Sequence, residues 1–419
     1  MRIIKVRNID NFVAQIRPKT SGQKKTVQTI LDQVRKKGDT AIKEYEKKFG
    51  STLGSLRVSK NELKSAYSQV SKDQIAAIKS SKKRLEYSER LVMKGLKGTT
   101  INRNGTKISK TFEPINSVGC YVPGGLARYP SSVIMSVTPA RIAGVRRIVV
   151  VTPPNDSRAD PLTLVAADIC GATEIYKTGG AQAIGALSYG TKSIKPVDKI
   201  VGPGGAFVTM AKSLVSEFCS IDMLAGPTEL GILADASSNA DYIAADLISQ
   251  AEHSTDTFCY MITKSETKAR QVNQTLHKKI PNLQRAKIIK ASLTGNGFIA
   301  VCKNDSEMIE LANRLAPEHL QIVTKNSQML AGKIRTAGLI LVGEQTPSSV
   351  SDYLLGSNHI LPTSGFGKTR GSLCVLDFLK LTTRIKASKK DIKSISSDMK
   401  VLTDSEGLPN HYTALEERL

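Results

Sequence analysis

From about residue 118 onward the chain alternates short β-branched runs with longer runs of helical spacing, and few folds accommodate that alternation. Strand-like segments at 118–122, 147–152, 174–177 and 199–201 are separated by helix-like segments at 132–143, 161–169, 181–187 and 207–215. A strand, a covering helix and a further strand in succession form the unit of a parallel sheet. A second series follows, with strands at 230–234, 258–262, 297–301, 320–323 and 338–342 and helices at 240–251 and 269–279. The expected fold class is α/β, with two Rossmann-like, incomplete parallel-sheet domains, a helical N-terminal segment and a small helical C-terminal tail. A chain of 419 residues is too long for one small core. The expected division is a 1–20 N-terminal arm, a discontinuous first α/β domain (21–118 plus 229–375), a second α/β domain (119–228) and a 376–419 tail.

Ahead of the alternation, residues 26–49 carry Val27, Ile30, Leu31, Val34, Ile42 and Tyr45 at helical spacing, with Lys37-Gly-Asp39 as a break. Residues 60–96 read as further helix, and 101–112 as a hairpin. The net charge of +23 is concentrated here: residues 1–110 hold 27 Lys and Arg against nine Asp and Glu. Few aromatics lie among these basic residues and no nucleic-acid module signature is present, so a solvated helical surface is expected, with no specific nucleic acid. No apolar run is long enough to cross a bilayer, and the first residues lack the pattern of a secretory signal. Six scattered cysteines without a CxxC pair fit reduced thiols in a cytoplasmic protein.

Three strand ends carry turn glycines: Pro123-Gly-Gly125, Gly179-Gly180 and Gly202-Pro-Gly-Gly205. Ligands of open α/β sheets bind beyond the carboxyl ends of strands, so these turns mark the expected cofactor crevice. Neither GxGxxG nor GxxxxGK[ST] is present, so the turns alone are a weak dinucleotide signal.

The chemistry-bearing residues are histidines in polar, acidic surroundings. Gln250 and His253 are three apart on an expected helix and share a face. Asp352 and His359 stand seven apart after an expected helix start at 348–351. Glu318-His319 follows a proline and precedes a strand, a position from which both side chains reach a substrate. Glu406 and His411 lie near the C-terminus, where chains usually fray unless they dock. Histidine and carboxylate together suit a metal-assisted enzyme. Taken alone, Asp352 and His359 read as well as a cap and a satisfied histidine, and the other pairs read first as a helix surface, an exposed loop or a frayed end. Cys120 has no basic partner in sequence and reads as a buried structural thiol.

Ten motifs in order resemble the histidinol dehydrogenase family over nearly the whole chain. They are Gly119-Cys-Tyr-Val-Pro-Gly-Gly125, Tyr129-Pro-Ser-Ser-Val133, Thr178-Gly-Gly-Ala-Gln-Ala-Ile184, Asp198-Lys-Ile-Val-Gly-Pro-Gly204, Ala225-Gly-Pro-Thr-Glu229, Ala244-Ala-Asp-Leu-Ile-Ser-Gln-Ala-Glu-His253, Ala316-Pro-Glu-His-Leu320, Asn358-His-Ile-Leu-Pro-Thr363, Val375-Leu-Asp-Phe-Leu-Lys380 and Glu406-Gly-Leu-Pro-Asn-His411. The resemblance implies oxidation of L-histidinol to L-histidine through L-histidinaldehyde with two NAD molecules. It implies one zinc ion per site on Gln250, His253, Asp352 and His411, the last from the partner in a domain-swapped homodimer with shared active sites. It implies His319 as the base and Glu318 as the activator of water. Thr228, His359 and Glu406 join the zinc ligands and Glu318 around the substrate, and Tyr121, Gln182 and Gly205 match cofactor-side positions.

This chain departs from the family's usual pattern at Gly205, where Asn is common, at Thr228, where Ser is common, and across Gly365-Phe-Gly-Lys-Thr-Arg-Gly371. Two other readings compete. A relative on the same scaffold acting on another primary alcohol, such as a sulfopropanediol, would keep the metal ligands and lose the histidinol contacts. A basic nucleic-acid-binding protein that had lost catalysis would show damaged ligands, and all four matching positions are intact.

Overall fold

A computed structural model describes residues 1–16, 23–124 and 128–419. Its described strands run in chain order β1 (Arg2–Lys5), β2 (Thr99–Arg103), β3 (Thr106–Pro114), β4 (Ser117–Tyr121), β5 (Arg147–Thr152), β6 (Glu174–Lys177) and β7 (Lys199–Val201). They continue with β8 (Ser220–Ile221), β9 (Glu229–Ala234), β10 (Phe258–Thr263), β11 (Phe298–Val301), β12 (His319–Ile322), β13 (Leu339–Val342) and β14 (Leu379–Lys386). Two parallel sheets result. One has the order β1-β11-β10-β9-β12-β13 and the other β6-β5-β4-β7-β8. Strands such as β9 and β10 are buried along their whole length, as expected where helices cover both faces of a parallel sheet. The expected α/β class with parallel sheets is what the structure holds.

The N-terminal arm expected over 1–20 is instead part of the six-stranded sheet. β1 is its edge strand, paired in register with β11. The helix Ile9–Ile16 closes over it, with Phe12 set edge-on to Phe298 at 5.3 Å between ring centres. The boundary expected at residue 20 lies outside the described residues.

The helices of 23–95 cover the five-stranded sheet, not the six-stranded one with which they were grouped. Val27, Leu31, Val34, Ala41 and Ile42 share one core with Ala183, Ile184 and Val208. Ala66, Val70, Ile78 and Leu85 share another with Val133, Ile148 and Leu164. An amphipathic stripe demands an apolar partner without naming one, and this is why the sequence misplaced these helices. The break at Gly38 is real: it takes φ +54 between the helices Lys24–Lys37 and Asp39–Lys48. The stretch at 60–96 also divides, because Ser71 and Gln74 form a capping box that starts the helix Lys72–Gly95.

The expected hairpin is β2–β3, and β14 joins it as a third antiparallel strand. The tail then forms two helices, Lys389–Ser405 and Pro409–Glu416, which pack mainly on each other. No helix among the described residues is long and apolar enough to cross a membrane.

Candidate active site

In the five-stranded sheet the chain leaves β4 for β5 and β6 on one side and returns to β7 and β8 on the other. The order therefore reverses between β4 and β7, and a crevice opens at their carboxyl ends. Pro123 and residues 202–205 line it, as the glycine turns predict. The Gly179-Gly180 turn stands outside this cleft, and Gly125 lies outside the described residues.

The opposite wall comes from the amino ends of the six-stranded sheet. Thr228 precedes β9, and His319 is the first residue of β12. The helix Ala240–Ala251 runs back against the strands and delivers Gln250 in its last turn and His253 just beyond it. Thr228, Gln250, His253, Glu318, His319, Asp352 and His359 all line one cleft of about 250 Å³. Asp352 and His359 reach it by a different route from the two helical turns expected. The helix stops at Ser351, and Gly356 (φ +82) bends the chain so that His359 Nδ1 donates to the Asp352 carbonyl at 2.8 Å.

Glu318 and His319 are held by neighbours on β9. Ala316 takes φ +47, which turns the chain out of the preceding helix and into β12. Glu318 Oε2 accepts from Thr228 Oγ1 at 2.6 Å and from the Glu229 N–H at 2.7 Å, while Gln250 Nε2 donates to Thr228 Oγ1 at 2.7 Å. His319 Nδ1 lies 3.2 Å from the Glu229 carbonyl. A carbonyl only accepts, so Nδ1 carries the proton and Nε2 faces Asp352 Oδ1, also at 3.2 Å.

These contacts set the protonation equilibria. Burial alone would lower the His319 pKa, but the Glu318 charge and the bond to Asp352 raise it to about 9. Burial pushes the Glu318 carboxyl up, and the His319 charge and the Thr228 and Glu229 donors only partly restrain it. Burial also acts to raise Asp352, but the bond and charge of His319, with His359 and His253, hold it below the usual carboxylate range. Burial lowers His359, so neutral imidazole is favoured there. His253 is exposed by area, yet the atoms crowding its ring desolvate it enough to lower its pKa, against the pull of Asp352 and Glu252.

Sequence reasoning missed Glu229. Its Oε2 accepts from the Glu318 N–H at 3.2 Å and its Oε1 from the Ser364 N–H at 2.8 Å. It thus ties the Glu318-His319 pair to the segment that carries His359. A charged residue opening an otherwise apolar strand was the available signal.

Among the described residues no three His, Cys, Asp or Glu side chains converge as a metal-holding group. One chain offers two such ligands, His253 and Asp352, with Gln250 beside them. The His253 ring makes no hydrogen bond among the described residues. Gln250 is buried with its Nε2 spent on Thr228, and among the described residues its Oε1 and the Asp352 Oδ2 have no hydrogen-bond partner. Those nitrogen and oxygen donors fit zinc if a further ligand arrives from outside. Glu406 and His411 are both exposed and line no part of this cleft in their own chain.

Of the cofactor-side positions, Gly205 opens on the cleft, and a Cβ there would meet nothing within 4 Å. Tyr121 and Gln182 are buried behind it. Tyr121 Oη accepts from the Gly180 N–H at 3.1 Å, and Gln182 Nε2 donates to Glu46 at 3.0 Å. Cys120 is fully buried and its thiol is pushed up to about 12, as a structural thiol should be.

A family model described as histidinol dehydrogenase matches residues 15–419. The chain belongs to the histidinol dehydrogenase family. Histidinol dehydrogenase of Methanococcus maripaludis is 42% identical, with 99% of this chain and 97% of that protein covered. That of Methanocaldococcus jannaschii is also 42% identical, over 94% and 92%. The crystal structure of histidinol dehydrogenase from Elizabethkingia anophelis superposes with a TM-score of 0.93 at 32% identity and covers 100% of this chain and 98% of that one. The chain is thus an oxidoreductase of histidine biosynthesis, and the Glu318-His319 cleft is the candidate site of that histidinol dehydrogenase chemistry.

Proposed function

We propose that the chain oxidises L-histidinol to L-histidine in two steps through L-histidinaldehyde, with two NAD, in a zinc-containing homodimer whose sites are shared. The observation that carries this reading is the buried Glu318–His319 pair, hydrogen-bonded to Thr228, Glu229 and Asp352 in the cleft that Gln250, His253 and His359 also line.

Gln250, His253, Asp352 and His411 of the partner subunit would hold zinc, with Glu406 of the partner subunit against the substrate. Zinc held by those residues would supply Lewis acidity beside the substrate. NAD, when bound, serves as the hydride acceptor. In its neutral form, the minor one below its raised pKa of about 9, His319 keeps the Nδ1 proton on the Glu229 carbonyl and takes the hydroxyl proton at Nε2 as hydride leaves the carbinol carbon. Glu318 then draws a proton from water at its free Oε1 as that water adds to the aldehyde. Desolvation makes this carboxylate a stronger base than one in solvent. Loss of a second hydride to the second NAD, with release of two protons, takes the hydrated aldehyde to the carboxylate. His359, with Nδ1 committed to the Asp352 carbonyl, turns Nε2 to the substrate. Gly205, Tyr121 and Gln182 form or support the cofactor side.

The shared-site reading draws on the tail. Its helices bury only Thr403 and Leu415, while Ile395, Val401, Leu402 and Leu408 stay exposed. Such a face seeks cover. The test is NADH formation with L-histidinol before and after chelation. Two NADH per histidinol, lost with chelator and regained with zinc, is the expected result. Full turnover in the metal-free protein would overturn the zinc assignment.

A further inference from the structure

The helix Asp39–Lys48 sends one carboxylate through the core to a cofactor-side turn. Glu46 is 2% exposed. Its Oε1 accepts three hydrogen bonds: from Thr178 Oγ1 at 2.9 Å, the Gly179 N–H at 3.0 Å and Gln182 Nε2 at 3.0 Å. These donors span the turn between β6 and the helix Gly180–Tyr189. A carboxylate buried this deeply is costly unless compensated, and here three donors and a helix N-terminus compensate it.

The two glycines of the turn bring no side chain of their own. Gly180 takes φ +59, and a Cβ on Gly179 would stand 2.5 Å from Pro153 Cβ, so neither position can brace it with a side chain. On the other flank the Gly180 N–H is fixed by Tyr121 Oη. Tyr121 closes β4, and its carbonyl lies where a Cβ on Gly202 would fall. Glu46 therefore reaches, through two hydrogen-bonded steps, the strand end that opens on the cleft.

We infer that Glu46 is a positioning residue for the dinucleotide. It holds the Thr178–Gln182 turn, which fixes Tyr121 and through it the Gly202 end of the cleft wall. The inference rests on the reading of Tyr121, Gln182 and Gly205 as the cofactor side. It also gives the N-terminal helices a part in the reaction beyond covering a sheet.

The test is steady-state kinetics of full-length Glu46→Gln, with NADH affinity read from the intrinsic fluorescence of the nucleotide. Gln keeps the shape but offers a neutral acceptor to three donors. The expected result is a KM for NAD raised about tenfold, with kcat at saturating NAD and KM for histidinol within about twofold of wild type. Glu46→Asp should recover part of the loss. Thr178→Val, which removes one donor, should move the same constant by about threefold. If Glu46→Gln does not fold, Thr178→Val carries the test.

An unchanged KM for NAD in a folded Glu46→Gln variant would overturn the inference. So would equal losses in kcat and both KM values, which is the mark of a merely structural residue. The underlying reading fails separately. Gly205→Asn and Gln182→Ala variants that both keep wild-type NADH affinity would place the cofactor elsewhere. A shift in those two with none in Glu46→Gln would overturn the Glu46 role alone.

Discussion

Glu318 has one committed oxygen and one spare. Oε2 is taken by Thr228 and the Glu229 N–H, and Oε1, without a hydrogen-bond partner among the described residues, is left to serve water. Replacing the carboxylate by an amide keeps the size and removes the base. Glu318→Gln is therefore expected to slow the aldehyde-to-acid step by about 10²–10⁴-fold while the alcohol step falls far less. Single-turnover counts of NADH, started from histidinol and then from the aldehyde, check this, and equal loss in both would argue against water activation. Gly202 makes a sharper demand on space. It takes φ +116, and a Cβ would sit 2.1 Å from the Tyr121 carbonyl oxygen. Its carbonyl accepts from the buried Lys212 at 3.0 Å, and its N–H donates to Asp222 at 2.8 Å. Gly202→Ala should cost more than about 2 kcal/mol, read as a lower urea midpoint. Both glycine and glutamate are plain in the sequence; their partners, Tyr121 for one and Glu229 for the other, are not.

At the scale of elements, the helix Lys72–Gly95 meets the segment that leads into β14. Glu89, buried on that helix, accepts from the Val375 N–H at 2.7 Å. Burial pushes its pKa up to about 7, and the nearby Asp377 charge adds to the rise against the pull of the Val375 bond. The folded state therefore keeps a proton that the unfolded chain releases at an ordinary carboxylate pKa. Stability from this group is complete below about pH 4.5 and is lost as pH rises through about 7, a change on the order of 3 kcal/mol. Glu89→Gln, which keeps an acceptor for Val375, should flatten the decline. Urea unfolding of both proteins across pH 5–8 checks the sign, and parallel curves would remove Glu89 as the cause. Element bounds themselves were legible: β5, β6 and β7 fall where the β-branched runs predict. Asp352 and His359 were not legible as a bend, because a short polar stretch after a helix start carries no signal for where Gly356 will turn it.

At the scale of the whole molecule, two sheets are set so that the carboxyl edge of one faces the amino edge of the other. The site lies between these edges, and in the proposed dimer the tail of a second copy completes it. If His253 and His411 of one site come from different chains, two dead variants complement each other. A mixture of His253→Ala and His411→Ala protein, unfolded and refolded together, then forms mixed dimers with one intact site of two. Random pairing sets the expected recovery at about a quarter of the wild-type rate. Recovery no greater than the two variants refolded apart would argue that each chain builds its own site.

Local periodicity was enough to read most strands of the two parallel sheets, most helices and the α/β class, and motifs that survive reading in one dimension were enough to name the candidate site residues. Only the tertiary structure decided which sheet the N-terminal helices cover, that β1 is an edge strand and not an arm, and that Glu229 and Glu46 brace the two walls. The physical reason is common to all of them. An apolar stripe, an edge strand or a buried carboxylate states what it needs, and the chain that meets the need lies far away in sequence, as Glu46 does from Thr178 and Glu229 from Glu318.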